Sequence, residues 1–113
     1  MPEKLKIREG LEVSKEEIET FCNKWGVTEL ELFGSVLRDD FSPEESDIDF
    51  LLTYDSKLRQ LSLFDLVTMK EELEAICGRK VDLISKRGVE RQRNELRRKE
   101  ILKSTRLFYA KAS

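Results

Sequence analysis

Along Ser14 to Gly26, apolar side chains recur at Ile18, Phe21, Cys22 and Trp25, the spacing of one helix face. Ser14 and Glu17 form a capping-box pair at its start and Gly26 closes it. Trp25 and Cys22 therefore read as core residues. Thr28 to Phe33 alternates like a strand, with Leu30 and Leu32 on one face, and ends at Gly34-Ser35. A short helix over Val36 to Asp40 and a loop with Ser42, Pro43 and two glutamates follow. Asp47 to Tyr54 is a second strand. Ser62 to Cys77 is a long helix, capped by Ser62 and Asp65 and closed by Gly78, with Leu63, Leu66, Val67, Leu73 and Ile76 as its apolar face. Lys80 to Ile84 is a third strand, and Val89 to Lys103 a basic, helix-favouring stretch. Leu107, Phe108 and Tyr109 give an apolar end that docks on the body. Residues 1–13 are weakly patterned. Helices and strands alternate, so the fold class is α/β, one sheet with helices packed on it. The pattern leaves open whether the strands run parallel or antiparallel.

The length of 113 residues fits one domain and no second core. Charge changes the picture more than composition does. Residues 1–85 carry 11 basic and 20 acidic side chains, whereas residues 86–113 carry 10 and 3. An acidic body with a basic end fits a nucleic-acid surface, an anionic ligand held near an acidic site, or an acidic partner protein. There is no histidine. That removes Ser-His-Asp and Cys-His sites and imidazole metal sites, so chemistry must run on carboxylates, amines and hydroxyls. Cys22 and Cys77 lack CxxC spacing and no apolar leader follows Met1, so a cytoplasmic, reduced protein is expected. No apolar run approaches the roughly 20 residues that cross a bilayer, and no membrane association is expected.

The chemistry concentrates in Ser46-Asp47-Ile48-Asp49-Phe50-Leu51-Leu52. Strand geometry sends Asp47 and Asp49 to one face and Ile48, Phe50 and Leu52 to the other. Two carboxylates side by side on a buried strand repel each other and lose hydration, a problem that a bound cation removes. Oxygen-only ligands favour magnesium, manganese or calcium over zinc, and an EF-hand is excluded because Leu51 takes the next ligand position and no glycine follows. Asp82, between Val81 and Leu83, offers a third acid where a short strand would lie beside the second, and three such acids could surround two metal ions. The plainer alternatives are that Asp47 caps the strand, that Asp49 pairs with Arg38 or a lysine, and that Asp82 is a surface strand residue. Gly34 allows close approach of an anion, Ser35 adds a hydroxyl, and Arg38 either touches phosphate or holds a carboxylate.

Gly34-Ser35-Val36-Leu37-Arg38, Ser46-Asp47-Ile48-Asp49-Phe50 and Asp82 together resemble the nucleotidyltransferases of the DNA polymerase beta superfamily, and among them the minimal nucleotidyltransferases (MNT, MntA-like antitoxins). The resemblance implies a small mixed sheet flanked by helices, spanning residues 1–113 with a basic helical C-terminal segment at about 86–113. It implies Asp47, Asp49 and Asp82 as catalytic and metal-holding carboxylates, with Gly34, Ser35 and Arg38 at the nucleotide. It also implies ATP as substrate, two Mg2+ ions, and a HEPN-domain toxin whose tyrosine receives AMP. Family members often carry a small residue and a glycine around the arginine, where this chain has Leu37 and Asp39. A competing reading is an antitoxin that neutralises its toxin by binding alone. Direct nucleic-acid binding through Lys86 to Lys103 is disfavoured, because Glu90, Glu95 and Glu100 interleave with the basic residues at helical pairing distance.

Overall fold

The computed structural model describes residues 3–39, 41–42, 45–57, 60–91 and 93–111. Six strands and four helices are assigned among them: β1 (Lys4–Arg8), β2 (Leu11–Ser14), α1 (Lys15–Trp25), β3 (Val27–Phe33), β4 (Ile48–Tyr54), α2 (Leu63–Cys77), β5 (Val81–Ser85), α3 (Lys86–Glu90), α4 (Glu95–Lys103) and β6 (Thr105–Ala110). A 3-10 turn, Gly34–Leu37, follows β3 directly. The main sheet has the order β5-β4-β3-β6. β3 is antiparallel to both β4 and β6, and β4 is parallel to β5, so the sheet is mixed. The α/β class and mixed sheet expected from the sequence are the ones the chain adopts.

Alternation divides the sheet into two faces. Leu30, Leu32, Ile48, Phe50, Leu52 and Val81 point to one side, where they join Ile18, Phe21, Cys22 and Trp25 of α1 and Met69 and Leu73 of α2 in the principal core. Phe33, Leu51 and Ile84 point to the other side and pack with Val89 of α3 and Ile101 of α4. The caps behave as the sequence implies: the Ser14 hydroxyl accepts from the Glu17 amide, and Ser62 and Asp65 form a reciprocal capping box. Gly26 and Gly78 close α1 and α2 with left-handed backbone. The Trp25 indole donates to Glu72, which also pairs with Lys24 at 2.6 Å, tying α1 to α2.

Four expectations are corrected. Residues 1–13 contain a β-hairpin: Leu5 pairs with Val13 across the Glu9-Gly10 turn, and Ile7 and Val13 are buried. The packing face of α2 is Leu66, Met69, Leu73 and Ile76, while Leu63 and Val67 are exposed. The short helix expected over Val36 to Asp40 is instead the turn Gly34–Leu37, with Arg38 already extended; Asp40, Pro43 and Glu44 lie outside the described residues. The basic stretch is two helices, because α3 ends at Glu90 and α4 starts only at Glu95 under the Asn94 cap, and the apolar end is strand β6. Among the described residues no helix is long and apolar enough to cross a membrane.

Candidate active site

Register places the acids. Asp49 is the second residue of β4 and sits opposite Phe33, the last of β3, on one side and Asp82, the second residue of β5, on the other. Because neighbours in register share a face, Asp49 and Asp82 project together from the face that carries α3 and α4. Asp47, just before β4, is exposed, Asp82 is exposed, and Asp49 is half-buried. The charges of Asp82 and Asp47 both act on Asp49. Burial first, then Asp82 and then Asp47, push the Asp49 carboxyl up to about 6, against the opposing pull of the Ser35 amide and the Arg38 guanidinium. The grouping read from Asp47, Asp49 and Asp82 is thus a spatial one.

Gly34 is needed twice over at its position. Its φ of 74° lies in the left-handed region, and a Cβ built on it would press against Asp49 Oδ2, far inside the 3.0 Å that real Cβ atoms keep. The glycine lets the turn lie against the carboxylate, and the Ser35 amide then hydrogen-bonds Asp49. The Ser35 hydroxyl donates to the Asp47 carbonyl at 3.4 Å. That bond ties the turn to the residue just before β4. Arg38 pulls weakly on the Asp49 carboxyl and lines an adjoining cleft, a position open to both of its expected roles. Asp39 is exposed.

Two contributions were not anticipated. Arg8 of the hairpin donates from Nη1 to the carbonyls of Val36 at 3.1 Å and Arg38 at 3.0 Å, and its guanidinium lies 4.6 Å from the Phe41 ring centroid. It holds the backbone that follows Gly34-Ser35. The second is a cleft of about 800 Å3 between the turn and α4, bordered by Phe33, Gly34 and Arg38 on one wall and Leu96, Arg97 and Lys103 on the other. Only the helical spacing of Asn94, Arg97, Ile101 and Ser104 hints in sequence that one side of α4 faces it.

Among the described residues no three carboxylate or thiol side chains converge on one point as a closed metal cage. The acids nevertheless fit magnesium, which takes one or two carboxylates and draws its remaining ligands from water and substrate phosphates. Burial first, and then the neighbouring carboxylates, raise Asp49, and a cation bound there would offset both.

A family model described as a nucleotidyltransferase domain matches residues 14–108, which include all the elements from α1 to β5. The chain belongs to the nucleotidyltransferase domain family. Within this nucleotidyltransferase family, the protein adenylyltransferase MntA of Thermococcus cleftensis is 36% identical over 63 residues, 56% of this chain and 60% of that protein. A candidate protein adenylyltransferase of Methanocaldococcus jannaschii is 39% identical over 67 residues, 59% of this chain and 65% of its own length. The matches therefore span slightly under two thirds of these curated relatives. A solved structure of a candidate minimal nucleotidyltransferase superposes with a TM-score of 0.58 at 30% identity, covering 80% of this chain and 84% of that one. A crystal structure of a toxin-antitoxin with AMP-PNP shares the fold, with a TM-score of 0.62 at 15% identity over 85% of this chain and 73% of that one.

Proposed function

We propose that residues 1–113 act as one nucleotidyltransferase domain that uses divalent metal to move AMP from ATP onto a tyrosine of a cognate HEPN-domain toxin, making the protein a cytoplasmic, catalytic antitoxin. The observation that carries this reading is the juxtaposition of Asp49 and Asp82 in register on parallel strands, with Asp47 beside them and Gly34 packed on Asp49. The relatives named as protein adenylyltransferases and the neighbour described as a toxin-antitoxin with AMP-PNP support the substrate and the partner.

Asp47, Asp49 and Asp82 would hold the magnesium, two ions being expected. When bound, magnesium supplies charge neutralisation on the phosphates and lowers the pKa of an attacking hydroxyl. The chain's own residues do the rest. Asp82, exposed at the strand edge, accepts the proton of the acceptor tyrosine hydroxyl as it attacks the α-phosphorus. Ser35 fixes Asp49 through its amide and the Asp47 main chain through its hydroxyl, so the carboxylates need not reorganise during the reaction. Arg8 fixes the turn. Placing the acceptor on a second protein suits a small chain whose acids lie at an open surface.

The test is to incubate the chain and a HEPN toxin with magnesium and ATP labelled at either the α- or the γ-phosphorus. Label on the toxin from the α position only is expected, and its loss in Asp47→Asn/Asp49→Asn. Label from the γ position would indicate phosphoryl transfer instead. Toxin inhibition without either label would indicate neutralisation by binding.

A further inference from the structure

Asp82 stands on β5, which is an edge strand of the main sheet. The Ile48 amide donates to the Lys80 carbonyl at 3.1 Å, and this bond fixes which way the β5 backbone faces. In a parallel pair alternate residues turn their amide and carbonyl to the neighbouring strand, so Asp82 and Ile84 face β4 while Val81 and Leu83 face outward. The outward Val81 amide donates to the Glu74 carboxylate at 3.1 Å. Among the described residues nothing takes the outward amide and carbonyl of Leu83, which is half-buried. Such a pair is what an extended segment uses to add a strand to a sheet. The opposite edge, β6, lies three strands from Asp82 and is interrupted by a bulge against Leu30 and Glu31. Charge singles out the β5 edge as well. Asp82 is the one acid between Arg79 and Arg87, with Lys80 just before the strand and Lys86 and Arg87 just after it.

We propose, on the nucleotidyl-transfer reading above, that the open edge of β5 is the acceptor-docking surface, where an extended segment of the acceptor protein pairs antiparallel with Leu83 and sets its tyrosine opposite Asp82. Antiparallel pairing is the more stable kind per residue, and it makes Leu83 one of a hydrogen-bonded pair. The residue opposite Asp82 then belongs to the closer, non-hydrogen-bonded kind, with Cα atoms about 4.5 Å apart. Residues opposite each other share a face, so the tyrosine stands on the face of Asp49 and Asp82, and its ring, longer than an aspartate side chain, carries the hydroxyl over the acids. There the phenol oxygen bonds to the α-phosphorus and its proton passes to Asp82. The bond from that phosphorus to the bridging oxygen breaks, its electron pair leaving with pyrophosphate. The neighbour of the tyrosine lies opposite Leu83 on the other face, where an apolar side chain extends the principal core. Acidic residues outside these two positions meet Lys80 and Lys86, so the segment that fits is an extended one with acids flanking a tyrosine and an apolar residue.

Amide hydrogen exchange followed by NMR on the full chain, with and without saturating HEPN toxin, tests the docking beside the kinetics of AMP transfer to that toxin. Exchange of the Leu83 amide is expected to slow about tenfold or more when toxin is added, while the Asp82 and Ile84 amides, already held by β4, change less. Lys80→Glu/Lys86→Glu should raise KM for the toxin about tenfold or more and leave KM for ATP within about twofold, and Lys80→Arg/Lys86→Arg should keep the wild-type values. Neither lysine is buried, so the fold should tolerate both replacements. A toxin that is modified while the Leu83 amide keeps its free rate, or a charge reversal that leaves KM for the toxin unchanged or raises KM for ATP equally, would overturn docking at β5. A wild-type chain that transfers no AMP to the toxin would overturn it differently, by removing the transfer reading beneath it.

Discussion

Asp49→Asn should stabilise the protein at neutral pH while abolishing transfer. The Asp49 carboxyl is pushed up to about 6 by burial and by Asp82 and Asp47, whereas an unfolded aspartate titrates at about 3.9. Between those values the folded state holds a proton that the unfolded state has released. The stability contributed by the protonated form is thus fully present below about pH 4, falls as pH rises, and is lost above about pH 6. At full weight the gap corresponds to about 3 kcal/mol. Asp49 is only half-buried, and solvent screening reduces this to about 1–2 kcal/mol. Asparagine keeps an oxygen to accept the Ser35 amide and carries no charge. At pH 7.5 without metal, Asp49→Asn should therefore melt about 4–8 °C higher than wild type. The advantage should shrink through pH 6 to 4 and vanish below. Differential scanning calorimetry across this range is the assay. A variant that melts lower than wild type at pH 7.5, or whose advantage ignores pH, would refute the electrostatic account of the site. Magnesium adds a second contrast, since it should raise the melting temperature of wild type and leave the variant nearly unmoved.

Other perturbations separate the roles of the surrounding residues. Gly34→Ala forces a side chain into the left-handed region and against Asp49, and should cost about 1–3 kcal/mol in urea unfolding together with most of the transfer rate. Arg8→Met removes the hydrogen bonds to Val36 and Arg38 and the contact with Phe41; it should raise KM for ATP more than it lowers kcat, at a stability cost of about 1–2 kcal/mol. Leu73→Ala, at a fully buried position of α2, should lose about 2–5 kcal/mol by chemical denaturation, whereas Leu63→Ala on the exposed side of the same helix should change stability by less than about 0.5 kcal/mol.

The legible parts of the fold were those where local chemistry and tertiary demand agree. Ser14, Ser62, Gly26 and Gly78 mark helix ends because capping is settled within four or five residues. Asp47 and Asp49 could be assigned to one face because the strand period is two, and Asp82 joined them because its strand has one acid among apolar neighbours. The basic end reappears as α4, which lies across a cleft from the turn that follows β3. What escaped the sequence depends on partners distant in the chain. β6 is a strand because β3 offers it an edge, which no property of Leu107, Phe108 and Tyr109 announces. On α2, Leu63 and Leu66 lie at helical spacing as readily as Leu66 and Met69, and only the position of the sheet chooses between them. Arg8 lies 28 residues from Val36, and its role as a brace exists only once the hairpin has folded against the turn. The hairpin did carry a signal, since Leu5 and Ile7 alternate with charges ahead of Glu9-Gly10 and Leu11 and Val13 alternate after it.

The proposed activity requires Asp47, Asp49 and Asp82 to act together in nucleotidyl transfer to a partner protein. The most direct measurement is the intact mass of a cognate HEPN toxin after incubation with the protein, magnesium and ATP, beside Asp47→Asn, Asp49→Asn and Asp82→Asn variants that retain the wild-type circular dichroism spectrum. A toxin heavier by one or more AMP units is expected with wild type, and unmodified toxin with each variant. An unmodified toxin with wild-type protein, or modification that survives loss of the aspartates, would contradict it.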